Sequence, residues 1–222
     1  MAKQRVKVWD WSVRVFHWTL VVMIAAMWWT AEQGHMIWHK WLGAGLIGLL
    51  IYRLIWGLIG PKTARLYTLV PHPKKLLSYL RSLRPGHHTR SFGHSPLGGL
   101  AVLGLLGLLW VQTGTGLFAV DVNGLASGWF GHLISFDLGR AIADFHEQIF
   151  DILLLMIGLH LLAITAYALI LRTNLITPMI TGEQARETAS EVGSAARAPI
   201  VKIVAATTLA AIFVTAIIWF GR

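Results

Sequence analysis

Five apolar runs, at roughly 15–31, 36–59, 97–119, 141–171 and 199–220, limit what this 222-residue chain can fold into. Each approaches or exceeds the ~20 residues that carry a helix across a bilayer. Inside lipid every backbone N–H and C=O must be paired within the spanning element, so a run of this length becomes a helix. Residues are 55% hydrophobic and 13% charged, which excludes an ordinary soluble domain. The first run is short. Arg14 precedes it, Trp28 and Trp29 form an interfacial pair near its end, and no small-residue cleavage site follows, so it reads as a retained helix rather than a signal peptide. The expectation is an all-α integral membrane protein with five spans.

Positive charge orients the spans. Lys3, Arg5, Lys7 and Arg14 precede the first. Lys62, Arg65, Lys74, Lys75, Arg81, Arg84 and Arg90 lie between the second and third, and the segment after the fourth adds Arg172, Arg186, Arg197 and Lys202. The other two connections carry almost none, with Arg140 near one and Lys40 just inside the second span. The positive-inside rule then places the N-terminus in the cytoplasm and the C-terminus, at Arg222, in the periplasm. The formal charge of +9 is a topology signal; a nucleic-acid partner would need the cations on a soluble module. Residues 74–84 (KKLLSYLRSLR) alternate leucine with cations and read as a helix on the anionic inner leaflet, with partner docking as the alternative. Residues 182–198 read as a polar cytoplasmic linker. The absence of cysteine excludes thiolate iron–sulfur ligation and covalent c-type haem attachment.

Ionisable side chains within spans are costly and usually functional. His17, His39, His146 and His160 are four such residues. His146 and His160 are 14 residues apart on the fourth span, about 21 Å and about four turns along one helix face. Sorted by depth, His17 and His160 lie near the cytoplasmic face, and His39 and His146 near the outer face. Two imidazoles saturate haem iron, so the two pairs form a frame for two stacked haems suited to electron transfer. The competing reading is helix-packing histidines, and a surface metal site at His35 and His39 is a further alternative.

Other residues bear on this frame. Gly43, four after His39, would let a flat macrocycle approach the backbone, although close packing through Gly43, Gly45 and Gly48 explains it equally. Arg53 lies 14 residues after His39 and would pair with a propionate of the inner haem or snorkel to the interface. Asp144, Glu147 and Asp151 crowd the outer end of the fourth span; the first two read as solvated end charges, and Asp151 as a deeper proton carrier. Asp121, Asp137 and Asp144 make the outer face locally acidic, which would steer a basic c-type cytochrome, with a solvated loop as the alternative.

Several blocks carry a resemblance: RVFHW at 14–18, HKWLG at 39–43, RLIWGLIG at 53–60, GHSPLGG at 93–99, FHE at 145–147, GLH at 158–160 and MITG at 179–182. In this order, from Val8 to about Gly182, the chain resembles the bacterial cytochrome b561 family, di-haem b-type cytochromes of inner membranes that include the cytochrome b subunits of nickel–iron hydrogenases. The resemblance implies that His17, His39, His146 and His160 are the haem ligands, the four that depth selected. The family's GHNP block reads GHSP here, with Ser95; His94 is kept, and the resemblance suggests that it lies near the inner haem. The expected organisation is a four-helix di-haem bundle over 1–182, followed at 183–222 by a linker and an extra span that holds no cofactor.

The functional expectation is transmembrane electron transfer through two haem b groups. The partners would be a quinone (ubiquinone or menaquinone) and a periplasmic redox protein such as a c-type cytochrome, dehydrogenase or hydrogenase. The chain would act as an electron carrier or as a subunit of a quinone-linked oxidoreductase, with a homodimer left open. His94 and Arg53 are the candidates for quinone contact. The alternatives are a histidine-based transporter or metal-binding protein, which would need a broken helix beside the polar residues, and a non-redox membrane anchor.

Overall fold

The computed structural model describes residues 4–82, 93–186 and 199–221. Lys3, Arg84, Arg90, Arg197, Arg222 and residues 187–198 of the expected linker lie outside the described residues. Five helices are long and apolar enough to cross a membrane: α1 (Trp11–Glu32), α2 (Met36–Ile59), α4 (Pro96–Gly116), α5 (Phe136–Leu169) and α7 (Ile200–Phe220). Two shorter helices, α3 (Pro73–Ser82) and α6 (Ile176–Thr181), complete an all-α membrane bundle.

Helix ends differ from the apolar limits because polar caps set them. α1 begins at Trp11 because the carboxylate of buried Asp10 accepts from Val13 N–H at 3.1 Å, satisfying one orphan donor of the first turn. The larger difference is at α5, expected to start near residue 141 with His146 at its opening. It starts at Phe136, so His146 lies about three turns in. The added stretch is helical for polar reasons: Ser135 Oγ accepts from Leu138 N–H at 3.3 Å, Asp137 occupies the first turn, and Arg140 pairs with Asp144 at 2.6 Å. α4 ends at Gly116, where the chain folds back. Gly128 donates to Ala119 at 2.8 Å, and a Cβ on Gly128 would come within 2.2 Å of the Gly116 carbonyl, so only glycine fits the return.

The chain divides into two compact units whose boundaries fall inside the long helices. The first comprises residues 1–15, 54–104 and 157–203. Here a short antiparallel pair absent from the sequence expectation, β1 (Gln4–Lys7) with β2 (Glu183–Arg186), joins the N-terminus to the segment after α6. Gly182 turns into β2 at φ +83°, and its carbonyl accepts from both Val8 and Trp9. Trp56, fully buried, donates to Asp10 at 3.5 Å. Tyr79 anchors α3 by a hydrogen bond with Tyr167, while Leu77, Leu80 and the cations Lys74, Lys75 and Arg81 stay exposed, as suits a surface helix. Burial pushes the Tyr79 phenol up to about 12; a bond with Ser95 works against that shift, and Tyr167 adds to it. Lys202 caps α2 by donating to the Ile59 carbonyl at 3.1 Å.

The second unit comprises residues 16–53, 105–156 and 204–222. α2 packs through its small residues: a Cβ on Gly45 would meet Met23 at 3.2 Å, and one on Gly48 would meet Val214 of α7 at 2.9 Å. At Gly43 an added Cβ would meet only Met27, at an ordinary 3.5 Å, so protein packing alone does not demand glycine there.

Candidate functional site

His39 and His146 come together in the second unit. Their ring centroids are 6.3 Å apart with an interplanar angle of 79°. Two metal–imidazole bonds of about 2 Å plus the two ring radii give a separation of roughly 6 Å, so the spacing matches two axial ligands on one metal. Both rings are half-buried.

Hydrogen bonds fix the tautomer of each. His39 Nδ1–H donates to the Met27 carbonyl at 3.0 Å, which leaves Nε2 as a bare lone pair. Nδ1 of His146 lies 3.0 Å from Thr115 Oγ1, and that hydroxyl has the Val111 and Gln112 carbonyls at 2.9 and 3.0 Å to donate to. The Thr115 oxygen is therefore the acceptor, and Nε2 of His146 is also a lone pair. Gln112 donates an amide N–H to it at 2.9 Å, standing in for an electrophile such as a metal. Gln112 is itself 7% exposed, and its Oε1 is buried with no hydrogen-bond partner, a sign of a side chain whose proper neighbour is another group. A Cβ on Gly116 would come within 3.0 Å of the His146 ring, so the glycine lets α4 lie against it. These features fit haem: two imidazoles lie at the spacing of ligands to one metal, each ring held on Nδ1 by the kind of partner that metal-bound histidines use.

Sequence reasoning missed Thr115, Gln112 and Gly116. A glutamine, two threonines and two glycines in the last turn of the third span (QTGTG, 112–116) were the available signal.

The remaining candidates are placed as follows. His17 is half-buried on α1, edge-on to Trp18 at 5.1 Å, in the second unit. His160 is half-buried on α5 in the first. Arg53 is 5% exposed, its guanidinium 5.9 Å from the ring of Phe16, which precedes His17. Burial of this depth opposes snorkelling, which would put the head group in water. His94 packs on Trp9, ring centroids 4.6 Å apart. His35 is exposed beside Trp29 at 5.5 Å. Asp144 is paired with Arg140, and Asp137, Glu147 and Asp151 are exposed.

Among the described residues, no three histidines or carboxylates converge on a point that could hold a bare metal ion. Two ligands suffice only for a metal that brings its own equatorial set, as haem does. α5 runs unbroken from Phe136 to Leu169, without the interruption that a transport site in this helix would use.

The model of the prokaryotic cytochrome b561 family matches residues 8–182. No curated protein and no solved structure matches the chain. The chain belongs to the prokaryotic cytochrome b561 family; it is a multi-pass membrane protein that binds b-type haem and serves transmembrane electron transfer. α7 lies beyond the matched region.

Proposed function

We propose that the chain conducts electrons across the bacterial inner membrane between a quinone pool and a periplasmic redox protein. It holds two b haems, the outer by His39 and His146 and the inner by His17 and His160. The observation that carries this reading is the close pair His39 and His146, each with Nδ1 held by a protein acceptor and Nε2 left as the lone pair a metal would take, which on His146 accepts from Gln112. Bound haem supplies the one-electron iron couple. Two histidines on each haem would deny the metal to exogenous ligands, and apolar helix would shield the pair from water.

The basic segments support a cytoplasmic N-terminus and a periplasmic C-terminus. On that orientation His39 and His146 serve the periplasmic side, and His94 and Arg53 are the residues proposed to meet the quinone on the cytoplasmic side. The proposed organisation is a di-haem domain over 1–182, with 183–222 adding a linker and a cofactor-free helix.

The test is haem content and redox titration of the purified protein. Haem reduction by quinol in vesicles is then compared with reduction by an external c-type cytochrome. Two low-spin b haems per chain, reducible from both sides, are expected. A pure, folded protein that takes up no haem in any redox state would overturn the proposal.

A further inference from the structure

Lys40 follows His39 directly on α2 and is only partly exposed. Its ammonium lies 4.4 Å from the centroid of the Trp129 ring. Among the described residues no carboxylate lies within ion-pair distance of it. A cation–π contact offsets only part of the hydration that this half-buried ammonium gives up, which leaves it able to take an anion.

Trp129 lacks a partner in the same way. It is 7% exposed, and its indole Nε1 is buried with no acceptor. It is also held firmly: the fold-back at Gly128 presents it, Trp41 packs edge-on at 5.0 Å, and a Cβ on Gly221 at the end of α7 would come within 2.7 Å of its Cβ. A buried indole N–H without an acceptor and a half-buried ammonium over the same ring, with no carboxylate paired to it, are two donors for an anionic oxygen. Haem propionates leave the edge of the macrocycle. A side chain about 100° around the helix from an axial ligand reaches that edge rather than the iron.

We propose that Lys40 and Trp129 together hold a propionate carboxylate of the haem bound by His39 and His146. The inference rests on that haem being present, as proposed above. α7, which the family match does not include, then has a role: Gly221 lets its end close on Trp129 and keep the indole in place.

The test compares haem b with its dimethyl ester, which keeps the iron and ring but carries no carboxylate. Apoprotein of the full chain is titrated with each and followed by the low-spin absorbance of the outer haem. The native chain should prefer haem b by roughly tenfold or more, the worth of a charge-assisted hydrogen bond. Lys40→Met should abolish the preference, Lys40→Arg should keep it, and Trp129→Phe, which retains the ring without the N–H, should reduce it. In the holoprotein Lys40→Met should lower the potential of the outer haem and leave the inner one unmoved, which also reports that the variant has folded. Equal binding of haem b and the ester by the native chain overturns the inference and leaves another anion, such as a lipid phosphate, as the occupant. Loss of no haem in His39→Ala and His146→Ala overturns the outer-haem reading itself, and this inference with it.

Discussion

His39 on α2 and His146 on α5 lie 6.3 Å apart between ring centroids, although 107 residues separate them in the chain. Each is turned by a bond on its far nitrogen, to Met27 and to Thr115. If the pair binds one haem, His39→Ala and His146→Ala should each remove the same one of the two haems, and the double substitution should remove no more than either alone. His17→Ala and His160→Ala should remove the other. Pyridine haemochrome content and the number of waves in a redox titration read this directly. A single-site variant that folds yet loses both haems would refute the pairing.

Thr115 sets the orientation of His146, and Gln112 supplies the donor at Nε2. Thr115→Val keeps the shape and removes the acceptor for Nδ1–H. Partners of this kind are worth about 10–100-fold in metal affinity, so the outer haem of Thr115→Val should dissociate correspondingly more readily and change potential, while the inner haem stays as it was. Thr115→Ser, which restores the oxygen, should recover both. Haem transfer to apomyoglobin gives the affinity.

Why the histidines were legible and these two residues were not follows from what each costs in lipid. An imidazole inside a span is expensive enough to need a reason, so four of them at matched depths point to a cofactor from the sequence alone. A threonine there bonds its own helix, as Thr113 and Thr115 both do, and so carries no obvious question. The five spans were visible because apolar length alone decides them. The start of α5 was hidden because Ser135, Asp137 and the Arg140–Asp144 pair build a helical turn out of polar groups that a hydropathy reading discounts. The β1–β2 pair was hidden for another reason: its strands are four residues each and about 175 residues apart in sequence.

Arg53 is buried and stacked near Phe16, so its charge acts from within the protein rather than from the interface. A cation at that depth stabilises the reduced, less positive haem. Arg53→Leu should therefore lower the potential of the haem assigned to His17 and His160 and leave the other in place. A pair of unchanged potentials would mean that Arg53 serves packing alone.

Tyr79 ties α3 to α5 through Tyr167, and its phenol is pushed up to about 12 from an ordinary 10.0, chiefly by burial. A phenol whose folded value is raised favours the docked state wherever it is neutral. The contribution of Tyr79 is thus complete below pH 10.0 and is lost as pH climbs toward about 12. Absorbance titration should show one tyrosine ionising late. Protease cleavage next to α3 should rise across the same interval while the haem spectrum holds. Tyr79→Phe should remove the late-titrating group and most of the pH dependence of cleavage. If cleavage in that variant still rises with the same midpoint, α3 is held by something other than the neutral phenol.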